Sequence, residues 1–185
     1  TKMVLMALFG LAGVCFILFG TYTYFRQIDN ALTKVQTVDL RIVQIANAMQ
    51  VGMSDMNRLF EASVVERDQD THAEAIAQSE KLRAMITEIG QISPDLKART
   101  GDMLKSFDDY VTEMRGYTDN VISGRFQGDE MYSAFSQALE KRATCEQKLR
   151  ALGNDIGKDF SATMEVLRKD ASATFLDQFT YGLLL

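Results

Sequence analysis

The chain has one proline, one histidine, two cysteines and no tryptophan among its 185 residues. Each scarcity removes a class of answers. With a single proline and an abundance of Ala, Glu, Lys, Leu, Arg, Gln and Met, little interrupts helical phase, which predicts helix nearly throughout and no sheet. The lone histidine, His72, rules out a multi-histidine metal site; it follows Thr71 in a polar stretch and reads as a solvated turn residue. Cys15 lies inside an apolar run and Cys145 stands alone outside it, so there is no intrachain disulfide framework. Cys145 reads as an unpaired helical cysteine, with a bridge between two copies as the alternative. There is also no C-x-x-C-H haem motif, no phosphate loop and no serine elbow. Neighbouring acids such as Asp108 and Asp109 do not face each other on a helix. No enzyme, cofactor or metal site is therefore expected. Basic residues are scattered singly in a chain of net charge −5, which excludes a nucleic-acid surface.

What the chain does have is a long apolar run, MVLMALFGLAGVCFILFGTYTYF, from Met3 to Phe25. Its first part carries no charge, Lys2 and Arg26 flank it, and Tyr22, Tyr24 and Phe25 stand where an interfacial aromatic belt belongs. A bilayer core needs about 17–25 mainly apolar helical residues, so this stretch reads as a membrane span. A cleavable secretory signal is the alternative, but its apolar region is about 7–15 residues, and no small-residue cleavage site follows Gly20. At the other end, FLDQFTYGLLL, from Phe175 to Leu185, rises like the start of a second span. The sequence thus reads as a piece of a longer protein: 1–25 a transmembrane helix, 26–174 an extramembrane domain, and 175–185 the beginning of a returning span.

Between the two runs the hydropathy follows a 3.5-residue repeat. Ile28, Ala31, Val35, Val38, Ile42, Ile45, Met49, Gly52, Met56 and Leu59 form a heptad seam, widened by Leu32, Ala46, Met53 and Phe60. The pattern lapses at Glu66 to Thr71, where Thr71 and Glu74 form a capping box for a second helix. That helix runs to Ile92 with Leu82, Met85, Ile89 and Ile92 inward, and Ser93-Pro94-Asp95 opens a third. The third carries Leu96, Thr100, Met103, Phe107, Tyr110, Met114, Tyr117 and Val121. After GRFQG, Gly124 to Gly128, a fourth helix carries Phe135, Leu139, Leu149, Leu152, Ile156, Phe160, Met164 and Leu167. Four helices with short connections predict an all-α, antiparallel up-down-up-down bundle. Met49, Met53, Met56, Met103, Met114 and Met164 read as core filler rather than a metal feature.

Arginines are the informative polar residues, because a guanidinium clamps small carboxylates. Arg58 borders the first apolar stripe, and Arg142 falls on the fourth helix's own heptad, seven residues from both Phe135 and Leu149. Arg58 and Arg142 each lie roughly 50 Å of helix from the membrane ends, so they are expected at one height. A charge on a packed seam needs an internal acid or a bound anion. Arg67 precedes the tip turn and reads as solvent-exposed. Tyr117, Tyr132 and Phe135 are placed in the same region, the core being the more ordinary role for each.

This order of span, continuous helix, tip turn and returning helix, with GRFQGDEMYSAF before the last helix, resembles the periplasmic four-helix-bundle sensor domains of bacterial methyl-accepting chemotaxis proteins. The resemblance implies a homodimeric chemoreceptor in the bacterial inner membrane, with 26–174 in the periplasm. It implies a small carboxylate or amino-acid ligand, or a periplasmic binding protein, and cytoplasmic signalling partners encoded beyond Leu185. Arg58 and Arg67 match the outer two of three ligand-holding arginines, Ser63 stands at the middle one, and Gln127 is a candidate near the turn. Together with Tyr132 and Arg142 these form the expected ligand site. Ile42, Ile45, Met49 and Gly52 form the expected dimer seam. The competing readings are an input domain of a sensor histidine kinase or cyclic-dinucleotide enzyme, and a membrane-anchored structural or adaptor bundle.

Overall fold

The computed structural model describes residues 13, 15, 18–26, 28–30, 32–33, 35–126 and 129–183, with side chains as far as Lys169. Among these the chain is all-helical, with no strand. Four long helices dominate: α1 Leu40–Glu66, α2 Gln69–Ile92, α3 Lys97–Ile122 and α4 Glu130–Leu183. A π-helical turn, Val35–Asp39, precedes α1, and a 3-10 turn, Pro94–Leu96, leads into α3. No helix among the described residues is long and apolar enough to cross a membrane. The expected span at Met3–Phe25 falls largely outside those residues, as do the side chains of 175–185.

Two compact units are present: Leu40–Asp159, and the flanking segments up to Asp39 and from Phe160. In the first unit the helix ends follow from local chemistry. Arg67 adopts φ 53°, and the Asp68 N–H donates to the Ser63 carbonyl at 3.1 Å, a left-handed cap that closes α1. An arginine in that conformation is strained by about 1 kcal/mol relative to glycine. Gly124, at φ 66°, closes α3 the same way, with the Arg125 N–H on the Asn120 carbonyl at 2.9 Å. The α2 N-cap is Asp68, whose carboxylate accepts from the Asp70 and Thr71 N–H groups; the Thr71 hydroxyl first, and then these backbone bonds, hold its pKa below the usual carboxylate value. The expected cap at Thr71 is therefore displaced toward the N-terminus.

That shift corrects the expectation for His72. It sits in the first turn of α2, buried, its ring 5.9 Å from that of Phe60. Its Nδ1 lies 3.3 Å from Asp119 Oδ1, and its Nε2 has no partner. Burial pushes its pKa down; Asp119 pulls it up and Arg115 adds to the lowering.

The core of this unit is drawn from all four helices. On α1 the buried line is Ile42, Ala46, Met49, Met53, Met56, Phe60 and Ser63, alternating steps of four and three. Ile45 is only half-buried, so the seam is turned slightly from the expected one. Ile42, Met49 and Gly52 are buried inside the single chain; a β-carbon on Gly52 would meet Leu82 Cδ2 at 2.8 Å. Of the residues expected at a seam between copies, Gly52 thus lies against Leu82 of α2. Leu96 in the 3-10 turn and Thr100, Met103, Phe107, Tyr110, Met114 and Tyr117 on α3 are buried as read from the sequence, whereas Val121 is only half-buried. On α4 the buried residues are Ala138, Cys145, Leu149, Leu152 and Ile156, whereas Phe135 and Leu139 are exposed. Met164 is also exposed. Each fully buried large apolar side chain contributes about 1.5–3 kcal/mol.

Side-chain contacts join the four helices. Phe60 meets His72 and Arg41 bonds Glu88 between α1 and α2; Arg83 bonds Asp108 between α2 and α3 at 2.7 Å. Arg99 bonds Asp155 at 3.0 Å between α3 and α4, and Glu61 meets Arg142 between α1 and α4. In the second unit, Ile28, Leu32, Met164, Glu165, Leu167 and Arg168 line a largely apolar groove of about 600 Å³.

Candidate functional site

Arg142 stands on the buried line of α4, midway between Ala138 and Cys145 in the alternation of fours and threes. A guanidinium there has to be met from inside, and it is. Its Nε donates to Glu146 Oε1 at 2.9 Å, one turn along the same helix, and its Nη1 donates to Glu61 Oε1 at 2.8 Å on α1. Burial works against the charge, but the bonds to Glu146 and Glu61 outweigh it and hold the pKa above its ordinary value. Two carboxylates of the same chain, the half-buried Glu146 and the exposed Glu61, thus meet this arginine.

Behind the guanidinium lies a neutral relay. Asn57, buried on α1, and Tyr110, buried on α3, are 2.6 Å apart from amide to hydroxyl. The Asn57 carboxamide has two orientations. In one, its carbonyl accepts from the Tyr110 hydroxyl, its NH2 reaches Glu146 at a long 3.4 Å, and that NH2 confronts the guanidinium. In the other, its carbonyl accepts from Arg142 Nε at 3.1 Å and Nη2 at 3.3 Å, and its NH2 donates to the Tyr110 oxygen. The second avoids opposing donors and is favoured electrostatically. Burial raises the Tyr110 pKa, against the pull of Arg142, so the phenol stays neutral at physiological pH.

This chain opens on a cleft of about 290 Å³ between α1 and α4. Gln50, Ser54, Asn57, Arg142, Glu146 and Arg150 supply its polar wall, and Met53 and Leu149 its apolar one. Arg150 is mostly exposed and reaches Glu146 only at 3.9 Å, so it holds a loosely committed guanidinium at the rim. Gly153 lets α1 come close: a β-carbon there would sit 3.2 Å from Gln50 Nε2. Among the described residues no cluster of His, Cys, Asp or Glu could hold a metal ion.

Of the expected ligand residues, the structure brings only Arg142 to this cleft. Arg58, Arg67 and Tyr132 are exposed. Ser63 is fully buried, its hydroxyl donating to the Phe60 carbonyl at 2.7 Å, so it is turned inward rather than toward a ligand. Gln127 lies outside the described residues. Tyr117 belongs to the core, its ring 5.8 Å from Phe126 and 5.3 Å from Phe135. Sequence reasoning missed Asn57, Tyr110, Glu61, Glu146, Gln50 and Arg150. Glu146 was within reach, since an acid four residues after an arginine on a helix is its natural partner. No family model, curated protein or solved structure matches the chain.

Proposed function

We propose that the chain is the sensor region of a membrane-anchored receptor of the chemoreceptor kind, and that the cleft between α1 and α4 takes a small carboxylate or amino acid. In this reading the four helices form an antiparallel up-down-up-down bundle outside the inner membrane, anchored by 1–25 and by the run that begins at 175. The opposed order of the helix contacts supports the topology, and the hydropathy of the two terminal runs supports the anchoring. The observation that carries the reading is the cleft itself: a polar hollow between the first and last helices, walled in part by the half-buried Arg142 and Glu146. Ligand would favour one arrangement of α4 against α1, by no more than its differential affinity for the two.

Calorimetric titration of the whole chain in lipid nanodiscs with small carboxylates and amino acids tests this. Binding that is lost in Arg150→Ala and in Gln50→Ala is the expected result; tight binders indifferent to both changes would place the site elsewhere. A second reading, an adaptor bundle docking a protein partner, draws on a different observation. Arg142 is saturated internally, and Val65, Met131, Tyr132, Phe135 and Leu139 are exposed. It predicts no response to any small molecule.

A further inference from the structure

A guanidinium offers a carboxylate two edges, and only a whole edge gives the bidentate bond that makes arginine selective. On Arg142 the Nε/Nη2 edge is taken by the Asn57 carbonyl, with Glu146 sharing Nε. The remaining edge, Nη1/Nη2, is held at Nη1 by Glu61. The two acids are not alike. Glu146 is 30% exposed and lies on the same helix as Arg142, so its bond ties nothing together. Glu61 is 61% exposed and comes from α1, so its bond is the exposed one of two ties between the first and last helices at this level, the buried Asn57 carbonyl being the other.

We propose that Glu61 is a built-in competitor for the ligand: its carboxylate occupies the arginine edge that an incoming carboxylate needs, and binding replaces it. This rests on the reading of the cleft as a carboxylate site. The exchange is chemically even, one carboxylate leaving Nη1 for water as another arrives, with no proton moved. Glu61 is the group that yields because an exposed pair is weak and screened, whereas Asn57 and Tyr110 are buried and cannot part without stranding polar atoms. The consequence is mechanical: occupancy exchanges a bond between α1 and α4 for a bond between α4 and ligand. Ligand binding and the loosening of this exposed tie become one event, while the buried Asn57 carbonyl still joins α1 to Arg142.

The test uses the whole chain in nanodiscs, with succinate as probe and its neutral diamide, succinamide, as control. Glu61→Gln keeps the side chain's shape on an exposed position, and circular dichroism checks that the helices are intact. The variant should bind succinate about 1.5- to five-fold more tightly than the parent, the range set by the worth of an exposed ion pair. Succinamide should show no such gain. Equal or weaker succinate binding by Glu61→Gln, with the parent still binding, overturns the competition while leaving the cleft assignment standing. A gain shared by succinamide overturns it too, since charge would not be the cause. Failure of both proteins to bind succinate overturns the carboxylate reading and this proposal with it.

Discussion

Removing one oxygen from the core provides the most discriminating perturbation. Tyr110→Phe deletes the hydroxyl that meets Asn57 at 2.6 Å and leaves the ring, nearly wholly buried, in place. No cavity forms, so the large penalty of truncating a core side chain does not apply. What is lost is one hydrogen bond, worth about 0.5–1.5 kcal/mol net, and what is left is an Asn57 amide proton facing an apolar ring, an added loss of about 1–3 kcal/mol if it finds nothing else. Asn57 retains Arg142 on its carbonyl side, and its nitrogen reaches Glu146 only if the carboxamide turns over and gives up Arg142, so the expected total is about 1–3 kcal/mol. Because burial holds the phenol neutral, this loss should be flat from pH 6 to pH 9.

Urea unfolding of the helical signal, read at fixed m-value, measures the change, and a cycle with Asn57→Ala isolates the pair. The two residues should couple by about 0.5–3 kcal/mol. A Tyr110→Phe variant within about 0.5 kcal/mol of the parent, or a coupling near zero, would refute the idea that the phenol anchors the amide that anchors the guanidinium. The cycle also reports whether Arg142 is positioned by this relay or merely by its two acids.

Other predictions follow from single contacts. His72 has a folded pKa below its unfolded value of about 6.5, so its contribution is intact above that pH and lost as pH falls through it; Asp119 and Arg115 are the charges facing it. Denaturant midpoints between pH 7.5 and 5.5 should fall for the parent and fall less for His72→Phe. Gly90→Ala would set a β-carbon 2.5 Å from Thr100 Oγ1, whose hydroxyl is fixed on the Leu96 and Lys97 carbonyls; it should destabilise by about 1–3 kcal/mol. Gly101→Ala meets nothing within 4 Å and should instead stabilise by about 0.5–1 kcal/mol, both read by thermal melts. Burial pushes the Cys145 thiol up to about 12, so a thiol reagent should label it only after denaturant is added, and copies should not cross-link through it.

How much of this was legible in the sequence depends on how decisively each helix states its phase. On α3 the aromatic and methionine positions all fall on one line, and each from Leu96 to Tyr117 is buried as read. On α1 two apolar lines run side by side, Ile45-Gly52-Leu59 and Ala46-Met53-Phe60, and hydropathy cannot rank them. The position of α2 can, because Gly52 admits Leu82 and the line beside it closes over the core. On α4 the buried residues at the distal end are small, Ala138 and Cys145, so the bulky Phe135 and Leu139 drew the expected seam to the wrong side. The helix ends were the easiest part, since glycine and proline punctuation has few readings. His72 failed for the converse reason: Asp68 and Thr71 are both good caps, and only the chain's path chooses between them.

The site was half legible for a related reason. Arg142 stood out because a charge on a heptad line is an anomaly that pattern reading detects, whereas Asn57 and Tyr110 are ordinary on their own helices and become a network only across three of them. That network bears on why the arginine is kept. Well-packed apolar residues at such positions are commonly as stable as a buried ionic cluster or more so, so stability is a weak reason for placing a guanidinium in the seam. Register is a better one, because Asn57, Tyr110 and Arg142 satisfy one another only when α1, α3 and α4 stand at a single relative height. A bundle whose helices must slide or tilt in response to a ligand needs such a reference point, fixed at the relay and loosened at Glu61.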